Sequence, residues 1–73
     1  MTNKNLGKII QIIGAVIDVR FEEELPALYN AIEVDYENET IVFEVMQHLG
    51  DHTVRCISMH PTDGLQRGME ARD

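Results

Sequence analysis

A single cysteine, two prolines, no tryptophan and only 6 lysine or arginine residues stand in this chain of 73 amino acids. Each scarcity removes a class of protein. Cys56 cannot close an internal disulfide, so no covalent staple is expected and nothing points to an oxidising compartment. No apolar run is long enough to span a bilayer as a helix, and Met1-Thr2-Asn3-Lys4-Asn5 lacks the apolar centre of a signal peptide, so the chain is expected to be intracellular. Against 13 acidic residues the few cations leave a net charge of -7. That sign opposes a protein that draws its affinity from phosphate neutralisation, and it disfavours docking on an anionic membrane surface. Neither a nucleic-acid partner nor direct membrane contact is expected. The length gives room for one small domain, which buries only about 60% of its unfolded surface and is marginally stable.

Motifs of chemistry are missing as well. There is no G-x-x-x-x-G-K-[S/T] phosphate loop, since Gly64 and Gly68 lack the following Lys-Ser or Lys-Thr, and neither a G-x-S-x-G elbow nor a G-x-G-x-x-G fingerprint occurs. His52 and Cys56 share a parity, but residues four apart in a strand are about 13 Å apart, too far to hold one metal together. His48 and His52 flank a turn and can approach each other, yet two ligands do not make a site. Glu22, Glu23 and Glu24 are consecutive in a loop and cannot all converge on one cation, so a solvated loop is the better reading. Cys56 has no activating neighbour in sequence and reads as a small core residue. No catalytic, metal-binding or cofactor-binding residue is assigned, and the residues alone describe a non-catalytic acidic β-domain.

What the chain does have is strand periodicity. Residues 7–21, GKIIQIIGAVIDVRF, are rich in Ile and Val and free of proline. Ala15, Ile17, Val19 and Phe21 alternate with Asp18 and Arg20, whereas Ile9, Ile10, Ile12 and Ile13 occupy both parities, so the apolar phase changes along the stretch. Gly14 sits at the change and suggests a bulge or sharp bend, hence a curved or closed sheet. Residues 1–5 are expected to fray, with Leu6 the first anchor. The charged run after Phe21 and Leu25-Pro26 end that strand, and residues 27–31, ALYNA, form a connector in which Leu28 and Tyr29 are expected to tuck against the sheet.

Farther on, Ile32, Val34 and Tyr36 alternate with Glu33, Asp35 and Glu37. A hairpin turn at Glu37-Asn38-Glu39 leads to a strand over residues 40–47 with Ile41, Phe43 and Val45 on one face. Its other face carries Val42, Glu44 and Met46, less polar than a freely solvated face, which hints at a covered surface. A turn around Gly50-Asp51 precedes a strand over residues 53–59. There Val54, Cys56 and Ser58 are the expected inward set, suited to a narrow barrel, and Arg55, Ile57 and Met59 the outward one. A loop over residues 60–64 leads to a last short strand over residues 69–73. Strands at this spacing imply a sandwich or barrel.

The segment EVMQHLGDHTVR, residues 44–55, resembles the N-terminal domain of the F-type ATP synthase beta subunit. The resemblance continues in order through residues 7–21, through LPALYNAI at 25–32 and through TDGLQRG at 62–68. It implies an all-β fold, a small closed six-stranded antiparallel Greek-key-like barrel, forming an N-terminal crown domain over residues 1–73. In that family, alternating alpha- and beta-subunit barrels touch side by side and hold a hexameric ring together. Mg-ATP and Mg-ADP belong to a following nucleotide-binding domain, so this chain is expected to be an excised domain lacking that one and the C-terminal one, without a cofactor and without ATP hydrolysis of its own. The resemblance implies alpha subunits as partners and a peripheral place on the cytoplasmic side of a bacterial plasma membrane, or an organelle equivalent. A start at Met1 without a presequence favours a bacterial or organelle-encoded source. Cys56 stands where relatives commonly have Thr, and Ala71 where a larger aliphatic is usual, departures expected to weaken packing slightly. The candidate subunit contacts are Val42, Met46, Ile57 and Met59, apolar residues off the clearest core parity. The rival expectation is a free-standing barrel that binds an oligonucleotide or a protein ligand.

Overall fold

The structure is a computed structural model that describes residues 5–73. Among the described residues six strands follow one another: β1 (Leu6–Ile13), β2 (Val16–Phe21), β3 (Ala31–Tyr36), β4 (Glu39–Gly50), β5 (Thr53–Ser58) and β6 (Glu70–Arg72). They close into a barrel in the order β1-β2-β5-β4-β3-β6, and every neighbouring pair is antiparallel. The consecutive hairpins β3-β4-β5 with β2 returning beside β5 form a Greek key. Closure leaves no free sheet edge, which lets so short a chain avoid edge-to-edge association.

The turns follow from local chemistry. Glu37 and Asn38 both take positive φ, 50° and 65°, as do Asp51 and His52, 53° and 61°. Each pair joins registered strand ends, Tyr36 to Glu39 and Gly50 to Thr53, in the two-residue geometry that matches strand twist. β4 therefore runs on to Gly50, past the expected end at Gln47, and its turn falls on Asp51 and His52.

The opening stretch keeps the sharp bend expected at Gly14 but moves the phase change away from it. Gly14 (φ 57°) is the first residue of a tight hairpin turn, with Ile13 paired to Val16. The phase change comes earlier, from a bulge in β1 between Ile9 and Gln11. Ile9 faces the core and Ile10 faces water; the extra residue then turns Gln11 outward too and returns Ile12 to the inner side. The sharp bend expected at Gly14 is thus the hairpin turn between two successive strands, and only the bulge lies elsewhere, in β1.

Ile9, Ile17, Val19, Phe21, Ile32, Val34, Phe43, Val45, Val54 and Cys56 fill the barrel, almost wholly shielded from water. The inward assignment of Val54, Cys56 and Ser58 holds. Space is tight where β1 meets β2: a Cβ on Gly7 would lie 2.9 Å from the Phe21 ring, so glycine is what lets that ring occupy the barrel end. Ala71, paired with Gly7, is buried as well.

The connector 27–30 does not behave as expected. Leu28 and Tyr29 stay exposed, and Pro26 and Leu25 pack inward in their place. Its backbone is what docks: Tyr29 N–H donates to the Val45 carbonyl (2.7 Å) and Val45 N–H to the Asn30 carbonyl (3.0 Å). β4 outlasts β3, and the connector supplies the hydrogen bonds that the longer strand would otherwise lack. Of residues 1–5, expected to fray, the first four lie outside the described residues. Asn5 accepts the Asp73 N–H at 3.0 Å and donates its side-chain amide to the Glu24 carbonyl.

Candidate functional site

The outer side of β4 and β5 brings apolar side chains together in water. Alternation places Val42, Glu44 and Met46 outward on β4, and cross-strand register sets Glu44 opposite Ile57 on β5 and Ala31 on β3. Met59, one residue beyond β5, is 82% exposed. Tyr29 reaches the same region from the connector. Its φ of 71° is rare for a bulky aromatic, and it is held by its own hydrogen bond to Val45 and by Asn30 N–H donating to the Ala27 carbonyl at 3.1 Å. With 69% of its surface exposed, the Tyr29 side chain is presented to solvent. Tyr29, Ala31, Val42, Glu44, Met59 and His60 line an open depression of about 410 Å³.

Of the four residues expected on the contact face, Val42 and Met59 meet at this depression. Met46 is exposed farther along β4, outside it, and Ile57 is half-buried beside Glu44. Tyr29 was missed by sequence reasoning, because a connector without periodicity gives no sign of a left-handed aromatic residue.

A polar row flanks this face. Gln11, Asp18, Arg55 and Gln47 are register neighbours across β1, β2, β5 and β4. Arg55 grips Asp18 through two bonds of 2.9 and 3.0 Å, and the Gln11 amide donates to the same carboxylate at 3.1 Å. Asp18 is only 4% exposed although it faces outward, because these longer side chains lie over it. The hydrogen bond to Asp18, and then its charge, raise the Arg55 pKa above its ordinary value. Such a forked pair satisfies a shielded carboxylate that would otherwise be destabilising.

The remaining candidates for chemistry are dispersed. His48 Nε2 lies 2.7 Å from the Pro26 carbonyl, which ties the connector to β4. His60 lies beside Ser58, whose hydroxyl bonds the His60 backbone, and the His52 carbonyl accepts the Phe21 N–H. Among the described residues no group of three or more His, Cys, Asp or Glu could hold a metal ion. Burial, with a smaller effect of the Asp18 charge, pushes the Cys56 thiol up to about 12. A thiol so shielded is protonated at neutral pH and unsuited to nucleophilic attack. What the described residues bring together in water is the apolar surface around Tyr29, Val42 and Met59.

Against known protein families, residues 9–73 match the one described as the ATP synthase alpha/beta family, beta-barrel domain.

Proposed function

This chain belongs to the ATP synthase alpha/beta family through its β-barrel domain, and from that premise we propose that it is the N-terminal assembly domain of a beta-type subunit. In this reading the barrel packs beside alpha-type barrels and helps hold a hexameric head together, while Mg-ATP or Mg-ADP is bound and turned over in a separate domain. The head is a peripheral complex on the cytoplasmic side of a bacterial plasma membrane or its organelle equivalent. The observation that carries the proposal is the apolar face of Tyr29, Val42 and Met59, exposed on a barrel whose own core is already full. Aromatic residues and methionine are enriched in protein interfaces, and such a patch on a small monomer marks a contact surface. The segment at residues 44–55 supports the beta type over the alpha type.

Comparing side-chain protection in the free chain and in an assembled head tests the proposal. Oxidative footprinting is expected to show Met59 and Tyr29 readily modified in the free chain and shielded in the head. Equal modification in both states would remove this face from assembly.

A further inference from the structure

The barrel is closed by its shortest strand. β6 lies between β1 and β3. Toward β1 it is registered over its whole length, Arg72 with Leu6, Ala71 with Gly7 and Glu70 with Lys8. Toward β3 a single pair is registered, Arg72 with Glu33, whereas the other edge of β3 is registered with β4 from Ala31 through Tyr36. The ladder is thus shortest at the seam between β3 and β6, and it does not reach as far along β3 as Asp35.

Side chains cross the seam where the ladder stops. Arg72 donates to both carboxylate oxygens of Asp35, at 2.8 and 2.9 Å, and to Glu33 at 3.2 Å. Asp35 also accepts from the Thr40 hydroxyl on β4 at 3.1 Å, so the fork ties β6 to the whole β3-β4 hairpin. The charged groups around it are mostly acidic. Glu33 and Asp35 stand on β3, Glu70 on β6 and Asp73 just beyond it, while Glu39 and Glu44 pair with the ends of β3. On the β1 side Lys8 pairs with Glu70 and shares a depression with Glu70 and Glu22. The ion pairs that join β6 to β3 are made by Arg72. Surface ion pairs usually contribute little, but a forked guanidinium that engages two carboxylates is the geometry that contributes most.

The other side of β6 is better secured. Gly68 N–H donates to the Ile9 carbonyl at 2.7 Å, and Ile9 N–H to the Met69 carbonyl at 3.0 Å. If the seam parts, β6 therefore stays with β1 and separates from β3.

We propose that the seam between β3 and β6 is where the closed barrel opens, and that Arg72 is an ionic latch across it. With the fork made, the barrel is shut and β3 presents no free edge. With the fork broken, β3 and β6 part locally while β1, β2, β5 and β4 remain paired. The latch guards the closure that protects the sheet from edge-to-edge association. It is independent of the assembly reading, since it acts within one chain.

Native-state hydrogen exchange on the free chain, followed residue by residue, tests the latch. Arg72→Met keeps a long apolar stem and removes the fork. Exchange is expected to quicken about tenfold at the backbone amides of β3 and β6 that face the seam, and less than about twofold at those bonding β2 to β5. Equal acceleration at every slowly exchanging amide would mean lost global stability without a local opening, and would overturn the latch. Unchanged exchange at the seam would overturn it as well. Added salt should quicken seam exchange in the unaltered chain and have little effect in Arg72→Met; the same response in both would contradict an ionic latch. Should Arg72→Met fail to fold, Asp35→Asn removes one charge of the pair and is expected to give the same local pattern, with a uniform one again overturning the proposal.

Discussion

Along β4, Ile41, Phe43 and Val45 are buried while their immediate neighbours Val42, Glu44 and Met46 face water. β5 repeats the division, with Val54 and Cys56 inside and Arg55 and Ile57 on the other side. Residues of similar hydrophobicity thus serve different ends according to parity. Inside, each fully buried aliphatic or aromatic side chain contributes about 1.5–3 kcal/mol of transfer free energy to the barrel. Outside, Val42, Met46 and Met59 keep apolar area in contact with water. Folding gains little from them, and only a partner that covers them could recover that area. The comparison teaches that strand parity separates the residues that make the domain from those left in water, through which the proposed assembly would join it to others.

The sharpest way to break the division is to place a charge inside. Ile17 is fully buried, so Ile17→Asp is expected to cost about 5 kcal/mol or more, comparable to the whole stability of a small domain. Circular dichroism should show an unfolded chain; a cooperative native-like melt would mean that Ile17 does not face the core. Next in size is Phe43→Ala, which empties a large site at the barrel centre and is expected to cost about 3–5 kcal/mol by denaturant titration. A loss under 1 kcal/mol would show the interior collapsing around the gap.

A smaller effect comes from the buried thiol. The folded chain holds the Cys56 proton up to about 12, against an ordinary value of 9.0. Between those values the unfolded chain binds fewer protons than the folded one, so this contribution is fully present below about pH 9 and is lost as pH rises toward 12. The stability curve of Cys56→Ala should lack that decline, and the difference between the two curves isolates it from other alkaline titrations. Parallel curves above pH 9 would contradict the burial of Cys56.

Much of the inner parity was legible from residues alone. In β3 and β4 the alternation is regular and the turn at Glu37 and Asn38 is polar, so the strands and their inward faces follow from period and turn chemistry. β1 was half legible: Gly14 does mark a sharp turn, but the change of phase comes from one extra residue at Ile10, which no turn residue signals. Pairing of β2 with β5 joins residues far apart in sequence, which no local period specifies; the closed six-stranded barrel came from resemblance to a family, and the strand order is seen only in the structure. The outer face was half legible. Val42 and Met59 stood off the core parity, but Tyr29 depends on a backbone conformation set by hydrogen bonds to β4, and its sequence neighbours do not encode it locally.

The smallest change expected in stability bears most directly on the central claim. Val42→Thr combined with Met59→Ser removes apolar surface from the outer face and should alter stability by within about 1 kcal/mol, as surface substitutions do. Measuring Tm and incorporation into the head on this one variant separates fold from function. The account predicts a nearly unchanged Tm together with a marked loss of incorporation. A Tm lowered as far as in Phe43→Ala, or full incorporation at an unchanged Tm, would contradict it.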